Sequence, residues 1–69
     1  MPLSMVEEGE PYIIKKISGK EETRQFLEKL GFVCGSQVLV VSKISGNVIV
    51  QVKDSRVAVS REMAQKIIV

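Results

Sequence analysis

The chain has 69 residues and a mass of 7.7 kDa, room for one small domain spanning residues 1–69. Hydrophobic residues make up 45%, charged residues 26% and the net charge is +2, the balance of a folded protein and not of a disordered one. There is no His and Cys34 is the only cysteine, which excludes a Cys–His dyad, a Ser–His–Asp triad, a His-containing zinc site and an intrachain disulfide.

Met1 to Met5 lacks the basic and apolar regions of a signal peptide, so the expected setting is the reducing cytoplasm. Gly9-Glu10-Pro11 then punctuates the chain, and Tyr12 to Ser18 predicts a first strand that ends at Gly19. Over Lys20 to Leu30 the period changes. Thr23, Phe26, Leu27 and Leu30 share one helical face, Glu21 and Glu22 suit the positive end of the helix dipole, and Gly31 suits a left-handed cap.

Phe32 to Gly35 reads as a short connection. Gln37 to Lys43 predicts a strand with Val38 and Val40 on one face and Leu39 and Val41 on the other. Ser45-Gly46-Asn47 signals a hairpin, and Asn47 to Lys53 the next strand, with Val48, Val50 and Val52 opposite Ile49 and Gln51. Lys53-Asp54-Ser55 reads as a second tight turn before a strand over Arg56 to Val59. Ser60 is a good N-cap for a short helix over Arg61 to Lys66, and Ile67 to Val69 closes as a terminal strand.

About five short strands with tight turns, and one helix between the first two, predict a mainly β domain closed as a small barrel. The expected core is Ile14, Ile17, Phe26, Leu27, Leu30, Val38, Val40, Val50, Val52, Val57, Val59, Ala64 and Ile67.

No run approaches the about 20 apolar residues that span a bilayer, so no membrane insertion is expected. Residues 1–35 carry five basic and six acidic groups, and residues 36–69 carry five and two. That mild asymmetry, with Tyr12, Phe26 and Phe32 as the only aromatics, offers neither the dense basic stripe nor the stacking platform of a nucleic-acid binder.

Single residues give little chemistry. Cys34 is the one candidate metal ligand, but it lacks a second Cys or a His to complete a site and reads as a small loop residue. Glu7, Glu8 and Glu10 read as a solvated acidic lead-in, and no cofactor is implied. Gly31 and Gly35 match no phosphate-loop spacing, and Ser36 and Ser60 have no base to activate them. The informative oddity is apolar and outward. Leu39, Val41 and Ile49 face away from the predicted interior, and Phe32 and Val33, just past the helix, extend the same patch into an expected partner-binding surface centred on Leu39, Val41, Ile49 and Phe32.

Several motifs fall in a familiar order: Leu3-Ser4, Gly9-Glu10 and Ile17-x-Gly19; then Leu27-x-x-Leu30-Gly31-Phe32-x-x-Gly35-x-x-Val38-x-Val40; then Val50-x-Val52, Arg56-Val57-Ala58-Val59 and Ala64-x-x-Ile67-x-Val69. Together they resemble the FeoA family of bacterial ferrous-iron uptake, from Leu3 to Val69. The resemblance implies an SH3-like β-barrel, related to the C-terminal domain of DtxR-type metal-responsive repressors. It implies a non-enzymatic cytoplasmic accessory protein whose partner is the G-protein domain of the FeoB transporter. It supplies no catalytic or metal-ligand motif. Family members often carry a Gly in the turn that is Lys53-Asp54-Ser55 here. The alternatives are a generic SH3-like peptide-binding module and a small nucleic-acid-binding barrel; weak homo-oligomerisation stays open.

Overall fold

A computed structural model describes all residues, 1–69. A single 3-10 turn, Leu3–Met5, precedes β1 (Pro11–Ile13), β2 (Lys16–Ile17), α1 (Glu21–Lys29), β3 (Gln37–Ile44), β4 (Asn47–Val52), β5 (Ser55–Ser60), α2 (Arg61–Ala64) and β6 (Ile67–Ile68). The strands form two antiparallel sheets, one ordered β1-β3-β4-β5 and the other β2-β6.

The segment expected as one strand from Tyr12 to Ser18 is divided between the sheets. The Ile14 N–H donates to the Ser36 carbonyl, and the next N–H, on Lys15, donates to the Ile68 carbonyl. The chain therefore changes sheets between these two residues, and that change bends both sheets around a single core. The beginning of the chain joins the small sheet as well. Pro2 bridges to Ile68, the Val69 N–H donates to the Met1 carbonyl, and the Met1 amino group donates to the Val69 carbonyl at 2.8 Å.

Each turn has a local cause. Ser45 and Gly46 both hold positive φ, at 38° and 84°, as a two-residue hairpin with right-handed strand twist prefers. At the end of α1, Gly31 takes φ 107°. Its N–H donates to the Glu28 carbonyl and the Phe32 N–H donates to the Leu27 carbonyl, the paired bonds of a Schellman cap. Ser60 caps α2 as expected, its Oγ accepting from the Met63 N–H at 3.2 Å.

The core holds 14 side chains, all apolar, and no buried side-chain polar atom lacks a partner. Ile14, Leu27, Val38, Val40, Val50, Val52, Val59, Ala64 and Ile67 are in it as expected, while Ile17, Leu30 and Val57 pack against it half-buried. Phe26 is not in it. At 50% exposed it lies at the margin of a narrow helical stripe whose one fully buried member is Leu27. Leu3, Val6, Phe32, Val48 and Val69 complete the core instead. Leu3 and Val6 are carried there by the pairing of the chain's ends.

Candidate partner-binding surface

The four-stranded sheet has a core face and an outward face. On β3 and β4 the buried residues Val38, Val40, Val48, Val50 and Val52 alternate with half-buried or exposed ones, as a sheet covered on one side requires. Leu39 and Ile49, both half-buried, are among the latter. Leu39 lies opposite Pro11 on β1 and Gln51 on β4, and Ile49 lies opposite Ser42 on β3 and Ala58 on β5. Leu39 and Ile49 are thus diagonal neighbours across β3 and β4, within reach for long side chains.

Val41 is placed differently. The register between β3 and β4 shifts between Val40 and Ser42, so Val41 is the extra residue of a β-bulge. Ser42, not Val41, lies opposite Ile49. Two contacts from the acidic lead-in hold this irregular stretch: the Gly9 N–H donates to the Val40 carbonyl, and a Glu8 carboxylate oxygen accepts from the Lys43 N–H at 3.1 Å. Glu8 thus serves the sheet.

Phe32 does not extend the patch. It is fully buried, because the Schellman cap turns the residue after Gly31 back under the helix toward Leu27, which is also fully buried. Ile13 is the residue that the sequence reading passed over. It is 53% exposed on β1, opposite Gln37 and diagonal to Leu39. Tyr12, Ile13 and Ile14 are all apolar, so no alternation in the sequence marks Ile13 as the outward one; the structure buries only Ile14.

The surface is therefore a short apolar band of Ile13, Leu39 and Ile49, with Pro11 and Ala58 beside it. Beside Leu39 lies a shallow depression of about 300 Å³, bordered by Gln37, Gln51 and Lys53. Arg56, opposite Gln51, adds a second cation to this end. A second depression, of about 280 Å³, lies at the β3–β4 hairpin with Ser4, Asn47, Lys43 and Arg61 on its walls. Cys34 is exposed in the loop before β3, and no three Cys, Asp or Glu side chains converge to hold a metal ion.

The surface has no constellation for acid–base or nucleophilic chemistry. The band is apolar at its centre and has the cations Lys53 and Arg56 at one end.

Comparison with known proteins places the chain. The model of the FeoA domain matches residues 1–69. The protein named "Putative Fe(2+) transport protein A" of Methanocaldococcus jannaschii is 38% identical over 68 residues, which cover 99% of this chain and 83% of that one. The crystal structure of an iron uptake regulatory protein, FeoA, superposes with a TM-score of 0.88 at 29% identity, over 97% of this chain and 91% of the other. FeoA of Stenotrophomonas maltophilia, described as a prokaryotic SH3-domain protein, gives a TM-score of 0.86 at 24% identity, covering 99% and 87%. A manganese-dependent transcriptional repressor contains the same fold, with a TM-score of 0.88 at 18% identity over 97% of this chain and 39% of its own. The fold is SH3-like, and the chain belongs to the FeoA family along its whole length.

Proposed function

We propose that this protein is a non-enzymatic accessory factor of ferrous-iron uptake that works in the cytoplasm by contact with the G-protein domain of a FeoB-type transporter. The observation that carries the reading is the family match over residues 1–69, together with the relative named for Fe(2+) transport. No helix of the chain is long and apolar enough to cross a membrane, and in this reading the ion path belongs to the transporter.

The contact surface in this reading is the outward face of the large sheet. Leu39 and Ile49 supply apolar area, Val41 flanks them at the bulge, and Lys53 and Arg56 select a partner that presents carboxylates beside its own apolar residue. Binding of this kind acts through differential affinity: a transporter state that fits this domain better becomes more populated.

The test is calorimetric titration of the G domain with the wild-type protein and with the double variant Leu39→Ser, Ile49→Thr. Both residues are only half-buried, so the variant is expected to keep its fold, checked by circular dichroism. Binding by the wild type and a loss of about tenfold or more in the variant is the expected outcome. Equal affinity of the two proteins removes this face from the contact.

A further inference from the structure

The large sheet ends on β1 at one side and on β5 at the other, and the two ends are built differently. β1 is three residues long and begins with Pro11, which has no N–H to offer a further strand. β5 is six residues long, pairs with β4 along its whole length, and has no strand on its other side. Outside that ladder no backbone hydrogen bond reaches residues 55–59. Proteins usually blunt such an edge with proline, a bulge, a run of charge or a covering segment. β5 has no proline, an unbroken register with β4, and a single charged residue, Arg56.

We propose that β5 is the seam of a symmetric dimer, in which two copies of this chain pair β5 to β5, antiparallel, about Ala58. The proposal rests on the open sheet edge and not on the transporter contact, although Arg56 and Ala58 of β5 border both surfaces. The register follows from sheet geometry. Residues directly opposite one another must point to the same face, so the two-fold axis passes through a residue pair and not between residues.

With the axis at Ala58, Val57 meets the partner copy's Val59, and Arg56 meets the partner copy's Ser60. The two Arg56 side chains are kept apart, and the smallest side chain of the strand lies at the axis. Ile49 is already opposite Ala58 on the outward face. The pairing therefore joins two short apolar rows into one, running from Ile49 through both Ala58 residues to the second Ile49. The seam is isologous and closes as a dimer. A foreign extended peptide is the weaker fit, because one cation on the strand gives it little to recognise.

The pairing is short, so association is expected to be weak, with a dissociation constant of about 0.1–1 mM. Sedimentation equilibrium across that range tests it, on the wild type, Ala58→Lys, Ala58→Glu and an equimolar mixture of the two variants. Ala58 is exposed, so both variants should fold as the wild type does, which circular dichroism checks. The wild-type mass is expected to rise from 7.7 kDa toward twice that value. Each variant alone should associate at least about tenfold more weakly, because like charges face each other across the axis, and the mixture should recover association as Lys meets Glu. A wild type that stays monomeric throughout overturns the proposal. So does Ala58→Lys associating as the wild type does, or a mixture no better than its components.

Discussion

Phe32 shows how one backbone angle decides a side chain's fate. Gly31 at φ 107° turns the chain, the Phe32 N–H closes on the Leu27 carbonyl, and the ring is delivered into the core. Phe32 is among the largest fully buried side chains, whereas Phe26, one helical position before Leu27, is half in water. Truncation should separate them. Phe32→Ala is expected to lose about 3–5 kcal/mol, most of the stability of a domain this small, and Phe26→Ala less than about 1 kcal/mol. Urea denaturation of both variants checks this. The helix cap itself was legible in Gly31, and the burial of Phe32 follows from it, since a Schellman cap commonly packs the residue after the glycine on the helix's last turn. Taken by itself in a short connection, Phe32 looks like free apolar surface, which is why the sequence reading put it outside.

At the scale of elements, the hairpins were legible and the irregularities were not. Ser45-Gly46 and Lys53-Asp54 mark their turns by composition. The bulge at Val41 leaves no mark, because Val38-Leu39-Val40-Val41 reads the same with or without an extra residue. Its supports, Glu8 and Gly9, are distant in sequence, so only the folded chain brings them together. The change of sheets between Ile14 and Lys15 is likewise fixed by partners, Ser36 and Ile68, that no local pattern names. The turn between β4 and β5 makes its own prediction. Lys53 holds φ 55°, a left-handed conformation that disfavours side chains with a Cβ. Lys53→Gly relieves that strain against a smaller entropic cost, and a stabilisation of about 0.5–1 kcal/mol is expected in the same denaturation assay.

For the whole molecule, the order of the helices and hairpins and most of the core could be read in advance because hydrophobic periodicity and turn composition report them directly. The part played by the chain's beginning could not. Leu3 and Val6 are core residues only because Pro2 pairs with Ile68 and Met1 with Val69. The candidate surface was half legible. Alternation put Leu39 and Ile49 on the outward face, while Ile13 joins them through a pairing of β1 with β3 that the sequence does not announce. The resulting SH3-like domain has a wholly apolar core and a modest apolar band with cations at one end.

The central claim, that this band meets the cytoplasmic G domain of the ferrous-iron transporter, is tested most directly by amide NMR. The labelled protein would be titrated with that domain and the shift changes mapped on the fold. The account predicts changes concentrated at Ile13, Leu39, Val41 and Ile49, with Phe32 following only as a buried neighbour. Changes confined to α1 or to the β3–β4 hairpin, or none at saturating G domain, would contradict it.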